Sequence, residues 1–359
     1  MGVSGALARL AVRHSHLLVI EVPGHWLTRV AVERLAGVRG WRLAVSPADA
    51  DILAVCGSPG PELALVVASL WEQLPGPRAR IDVAAPDLAA AALDQAEDLL
   101  RDTPRQRRDG SARDGQGCDD AAGGDIALAS GGEDRDGLEM DVLHVRLGPV
   151  LPDWPAGLVL RAHLHGDLVA EAQAGVVDAG RGGLADGDHA VGADDAVGAD
   201  VAGEASPDAA EFAARRCDNA ARVLALAGWP DAAGWARAVR DRLLAGERSA
   251  AITELVRLRR RVRRSWLLRW SLRRVGPLCP GELVRLGLAP ELTGDVWDRL
   301  NGMLDRAAVV AGGSAGVVVR VPVTPPAAVA SVVSGWDVAT ARLIVASLDI
   351  VALGAVRDG

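Results

Sequence analysis

A chain of 359 residues is long enough for about two domains, each able to bury its own core. All 39 basic residues are arginine, there is no tyrosine, and Phe212 is the single phenylalanine, so tyrosine chemistry, Schiff-base catalysis, pyridoxal phosphate anchoring and P-loop binding through lysine are excluded. The formal net charge of −8 argues against a protein that coats nucleic acid, whose affinity comes from neutralising phosphates.

Residues 16–22 and 41–45 read as short buried strands, and 51–56 as a third that ends in the turn Gly57-Ser58-Pro59-Gly60. Pro61 suits a first helical position, and Leu63, Val66, Val67, Leu70 and Trp71 recur at helical spacing before the Pro75/Pro77 turn. A strand at 79–83 completes a βαβ unit, which predicts a parallel sheet in an α/β domain. A helix over 87–101 follows. Residues 102–136 carry many Asp, Arg and Gly without aliphatic periodicity and read as a disordered linker.

Strands are predicted at 141–147, 157–164 and 168–177. Residues 180–208, where AVGAD occurs at 190–194 and again at 196–200, read as a flexible low-complexity insertion. Helices are expected at 210–227, 231–244 and 250–274, with shorter ones near 280–287 and 294–306. A strand at 316–323, a helix at 325–333 and an apolar helix or strand at 339–351 close the chain. The domain map is therefore an α/β domain at 1–101, a linker at 102–136, and an α+β domain at 137–359 that joins a helix bundle to a small antiparallel sheet.

No GxGxxG, GxSxG, HExxH or Walker sequence occurs. Cys56, Cys118, Cys217 and Cys279 stand far apart with no CxxC, so reduced thiols of a cytosolic protein are expected. His14/His16 and His163/His165 each lie on one strand face but lack a nearby third ligand, and they read as solvated or core-edge histidines. No apolar run approaches the length of about 18 residues that a membrane span needs, so no transmembrane segment is expected.

The strongest charge feature lies at 249–274, where nine arginines face a single acid, Glu254. Leu255, Leu258, Val262, Trp266 and Trp270 recur every three or four residues, which predicts one apolar stripe packed on the bundle. The guanidiniums of Arg257, Arg260, Arg261 and Arg264 are the candidate contacts to an anionic partner. A solvated face neutralised by the chain's own acids is the plainer alternative.

Residues 33–83 resemble the B-type, cluster-carrying subunit of NADH:quinone oxidoreductase (complex I) and the small subunit of membrane nickel-iron hydrogenases. Ser46, Ala50, Asp51, Leu53, Val55, Gly57, Trp71, Gln73, Pro75 and Pro77 carry the likeness. Further along, LGPVLPDWPAGLVLRAHLHGDLV (147–169), RRCDNAARVLALAGW (215–229), RVGPLCPGELVRLGL (274–288) and ASLDIVALGAVRD (346–358) resemble, in order, segments of the D-type quinone-site subunit of the same superfamily. Where that family has a cysteine pair, this chain has Glu21-Val22-Pro23-Gly24-His25-Trp26, and Leu151 stands at the position of the quinone-site histidine.

The resemblance implies a fused, catalytically degenerate B-plus-D-type protein with no catalytic residue, metal or cofactor of its own. Such a chain is a structural or regulatory component docked to protein subunits of a membrane-associated redox complex. It is cytoplasmic and peripheral to the inner membrane through those partners. Two alternatives stay open: a quinone-binding subunit fed by a partner's clusters, and a binder of nucleic acid or an anionic surface through the arginine helix.

Overall fold

The computed structural model describes residues 12–115, 130–133, 139–178, 207–313 and 323–353. The chain divides into two compact units, an α/β unit and an α+β unit. Among the described residues, the first holds 12–115, 149–152 and 177–178, and the second holds 130–133, 139–148, 153–176, 207–313 and 323–353.

In the first unit, β1 (His16–Glu21), β2 (Arg42–Leu43), β3 (Ile52–Cys56) and β4 (Ala79–Val83) form a parallel sheet in the order β2-β1-β3-β4. All five residues of β3 are buried, as the unbroken run ILAVC requires of a strand covered on both faces. Leu17, Ile52, Ala54, Cys56, Ala79, Ile81 and Val83 share one core with residues of two helices, α1 (Trp26–Val38) and α3 (Ala89–Arg101). Val32 and Ala36 come from α1; Ala89, Leu93 and Ala96 come from α3. Between β3 and β4 lies α2 (Pro61–Gln73), which starts at Pro61 and buries Leu63 and Val67. The carboxylate of Asp178 accepts hydrogen bonds from the backbone N–H groups of Glu62 (3.0 Å) and Leu63 (3.2 Å), filling the N-cap role that Gly60 cannot. That bond explains why residue 178 belongs with the first unit.

Two sequence expectations need correction here. The helix α1 forms between the first two strands, where no element is expected. The helix α4 (Thr103–Gly115) occupies the first part of the segment read as a linker, and a strand, β5 (Ser130–Glu133), lies near its end. The rest of that segment lies outside the described residues.

No apolar stripe holds α4; polar side chains do. Asp102 accepts from the backbone N–H of Arg105 at 3.0 Å, and Gln106 both accepts from the backbone of Arg78 and donates to it, each at 3.0 Å. The buried guanidinium of Arg78 donates Nε and Nη2 to the two carboxylate oxygens of Asp109 at 3.0 and 3.1 Å, and stacks 4.1 Å over the Trp71 ring.

In the second unit, β5, β6 (Glu139–Leu147), β7 (Leu158–His165) and β8 (Leu168–Val176) form an antiparallel meander. Trp154 is buried beside it and donates Nε1–H to the Leu158 carbonyl at 2.8 Å. The bundle is built on α5 (Pro207–Leu226), which packs against α6 (Pro230–Leu244), α10 (Val296–Ala311) and α12 (Val338–Ser347). Against α6 and α10 packs α7 (Arg248–Arg264). The remaining helices are α8 (Trp266–Leu272), α9 (Pro280–Leu286) and α11 (Pro326–Val333), and β9 (Val323–Thr324) pairs in parallel with β10 (Ala352–Leu353). Thus the stretch 339–351 is mainly helix, the insertion at 180–208 reaches α5 at Pro207, and residues 180–206 and 316–322 lie outside the described residues.

The expected single helix over 250–274 is two. Ser265 takes an extended conformation (φ −77°, ψ 99°), ends α7, and its hydroxyl accepts from the Leu268 N–H at 3.3 Å to cap α8.

Hydrogen bonding by Arg78 comes first among the causes that hold the Asp109 carboxyl below its ordinary range. A lowered folded value means that this stabilisation is complete above an unfolded pKa near 3.9 and is lost as pH falls through the folded value. We predict that Asp109→Ala makes the chain more sensitive to trypsin at Arg105, Arg107, Arg108 and Arg113 at neutral pH. Wild-type protein should reach that sensitivity only in acid, as read with an acid-active protease. Equal cleavage rates for the two proteins at neutral pH would contradict the clasp.

Candidate functional site

The parallel order β2-β1-β3-β4 reverses direction between β1 and β3, and an open α/β sheet binds ligands beyond the C-terminal ends of the strands at such a point. Here that edge is built by Val22 to His25 and by Cys56 to Gly60. Backbone bonds fix both loops: Val22 N–H to the Cys56 carbonyl at 2.9 Å, and Gly57 N–H to the Val83 carbonyl at 2.8 Å. The His25 ring fills the space over Gly57, where an added Cβ would lie 2.4 Å from it; φ of +103° requires glycine there in any case. His25 Nδ1 is buried without a hydrogen-bond partner. Below the edge, Arg29 lies between Glu21 and Glu33, 2.5 Å from each.

The residues at this edge offer little nucleophilic or ligating chemistry. Burial pushes the Cys56 thiol far above its ordinary value, so it stays protonated. Among the described residues no group of three or more His, Cys, Asp or Glu is placed to hold a metal ion. His16 pairs with Asp49 at 2.8 Å instead of with His14, and His163 meets His144 across the β6/β7 pair with ring centroids 4.3 Å apart. His144, His163, Arg146 and Arg161 line a shallow depression of about 220 Å³ on the meander.

A second polar cluster lies inside the bundle and was not singled out in the sequence. It joins segments 215–229 and 346–358, two of the four that carry the D-type resemblance. Asp349, buried and at φ +54°, accepts from Asn219 Nδ2 at 2.8 Å and pairs with Arg216 Nε at 2.8 Å and Arg306 Nη2 at 3.1 Å. Arg216 also lies 4.1 Å over the Phe212 ring, and its Nη1 is buried without a hydrogen-bond partner. Burial lowers the pKa of Arg216, with Asp349 opposing that shift. The nearby segment 274–288 is bound in by fully buried Arg299, which donates to Ser347 Oγ (2.9 Å) and to the carbonyls of Gly276 (2.9 Å) and Gly294 (2.6 Å). Residues this deeply buried serve the fold; the signal that could have marked them was their clustering in the motif segments themselves.

The four arginines picked from the sequence as partner contacts all lie exposed on α7. They are not equivalent. Arg257 pairs with Glu254 at 2.7 Å, and Arg261 lies 5.8 Å over the Trp229 ring. Arg260 and Arg264 make no ion pair among the described residues. On the same helix Arg259 and Arg263 both bind Asp305, at 2.5 and 2.6 Å, which neutralises only one of the two charges.

The apolar stripe is only partly as expected. Leu255, Leu258 and Val262 are buried, but the break at Ser265 rotates the chain so that Leu268 and Leu272 take over the inward positions. Trp266, Leu267 and Trp270 point to solvent, at 76, 58 and 75 % exposure.

The chain shows no significant match to any known protein family, curated protein or solved structure. No helix among the described residues is long and apolar enough to cross a membrane.

Thiol environment separates the three described cysteines. Cys217 is buried and its thiol is pushed up to about 12 by burial, whereas Cys279 is exposed at the start of α9. We predict that mild alkylation of the native protein modifies Cys279 and leaves Cys56 and Cys217 untouched until the chain is unfolded, as read by peptide mass. Native labelling of Cys56 as fast as Cys279 would overturn the description of the sheet edge as chemically quiet.

Proposed function

We propose that this chain is a catalytically degenerate, structural or regulatory component of a complex I-like or hydrogenase-like redox assembly, held to its partner subunits by the arginine face of α7. The observation that carries this reading is the charge arrangement of α7: a helix of an acidic protein keeps Arg260 and Arg264 exposed and without an ion pair among the described residues, next to Arg257 and Arg261. Like charges at i and i+4, such as Arg260/Arg264, repel one another by a few tenths of a kcal/mol, so the arrangement weakens the isolated helix slightly. Carboxylates of a docked subunit relieve that repulsion through bidentate pairs.

Two further observations support the superfamily reading. The N-terminal unit is a parallel α/β sheet and the second unit joins an antiparallel meander to a helix bundle, the two folds the resemblance implies. Two of the D-type-like segments also meet around one buried carboxylate, Asp349. In the place of the family's cysteine pair the chain carries His25 against Gly57, which favours a scaffold over an electron carrier.

The test is recovery of partners from the native host in mild detergent with the full chain as bait. Wild type should recover membrane-bound or redox subunits. Replacing Arg257, Arg260, Arg261 and Arg264 with Gln should leave the unfolding midpoint unchanged, because Leu255, Leu258 and Val262 still fill the core, while partner recovery falls about tenfold at low salt. Recovery of no redox or membrane protein, or recovery indifferent to both the substitutions and salt, would refute the proposal.

A further inference from the structure

We infer that α8 and the residues flanking it form a docking site for the surface of an anionic phospholipid bilayer. This goes beyond docking through protein subunits, because it gives the chain a membrane contact of its own on a different helix.

The turn at Ser265 decides which side chains α8 presents to solvent. Had α7 continued, the three-and-four spacing would have carried Trp266 and Trp270 onto the buried stripe with Leu258 and Val262. Because the helix restarts after Ser265, Leu268 and Leu272 anchor α8 to the bundle and both indoles are presented outward, three-quarters exposed, with Leu267 beside them. Two tryptophans and a leucine exposed together on one seven-residue helix make an apolar patch of the kind that marks an interaction surface.

The charge around the patch indicates what covers it. Between Glu254 and Glu282 the chain has nine arginines and no carboxylate. Asp305 is spent on Arg259 and Arg263 of α7, and Arg269, Arg273 and Arg274 lie exposed on α8 and just after it. The backbone at the far end is pinned, since the N–H of Arg274 donates to Asp295 Oδ2 at 2.8 Å, so the helix is held in its presenting position.

An indole with an N–H at one edge, an adjacent leucine and long cationic side chains that reach past them match a bilayer interface: rings at headgroup depth, guanidiniums on phosphates. Single-stranded nucleic acid also takes arginine and stacked aromatics, but the exposed Leu267 gives a base nothing to stack on, whereas it suits the hydrocarbon boundary of a bilayer. The helix is far too short to span a bilayer, so the contact is interfacial.

The experiment is co-sedimentation of the full chain with vesicles of phosphatidylcholine, and of an equal mixture of phosphatidylcholine and phosphatidylglycerol. Binding to the mixed vesicles should be at least about tenfold stronger and should weaken with added salt. The double variant Trp266→Ser/Trp270→Ser should lose that binding with an unchanged unfolding midpoint, and brominated acyl chains should quench the fluorescence of wild type more than that of the variant. Arg269→Gln/Arg273→Gln should weaken binding to the mixed vesicles alone. Arg260→Gln/Arg264→Gln should bind vesicles nearly as wild type does, which separates this site from the protein-docking face on α7. Failure to bind the mixed vesicles, binding unchanged in the tryptophan variant, or tighter binding of a single-stranded oligonucleotide lost in the same variants would each overturn the inference.

Discussion

A guanidinium cannot shed its proton to enter a protein interior, so each buried arginine obliges the fold to supply acceptors around it. This chain has no lysine, and among the described residues it buries five arginines, Arg29, Arg78, Arg216, Arg240 and Arg299. Arg29 pairs locally with Glu21 and Glu33, and the other four tie together segments that are distant in sequence. Arg78 clasps α4 through Asp109; Arg240 reaches from α6 to Asp218 on α5 at 2.6 Å; Arg216 joins α5 to Asp349; Arg299 gathers the loops at Gly276 and Gly294 with the end of α12. Removing one partner of such a pair typically costs roughly 3 to 5 kcal/mol, a large share of a domain's total stability. The interior is therefore specified by charge pairing as much as by its alanine- and leucine-rich packing.

The same rule gives the segment after Glu254 its meaning. Inside the units carboxylates are brought to the arginines; along α7 and α8 the ion-pair partners among the described residues are Asp305 and Glu254. One residue, Ser265, divides this stretch into two surfaces of different character. Before it lies a guanidinium face suited to carboxylates of another protein; after it lies a tryptophan and arginine face suited to a charged bilayer. On the two proposals made above, both are attachment surfaces, one for protein and one for lipid.

Much of the α/β unit was legible in the sequence because its signals are local. The run ILAVC, five residues long and closed by a Gly/Pro turn, reads as a strand buried on both faces, and Pro61 followed by Leu63 and Val67 marks the start of α2 and its inward side. The helix α4 was not legible, since its stability comes from Arg78 and Gln106 binding across 28 residues or more and not from an apolar face. The break at Ser265 left a faint signal, a hydroxyl three residues before Leu268 in capping position, but an apolar spacing that runs through it argues for continuation. Asp349 was marked only by its place in the motif segment 346–358: its partners at 216, 219 and 306 come together only in the folded bundle.

The proposed attachment through α7 and α8 is tested most directly by photo-crosslinking in the native host. A photoreactive side chain placed in turn at positions 260 and 270 reports what touches each surface, and position 38, 79 % exposed on α1 of the other unit, serves as reference. The account predicts a discrete protein adduct from position 260, lipid adducts from position 270, and neither from position 38. Silence at 260 and 270, or adducts no different from those at 38, would contradict it.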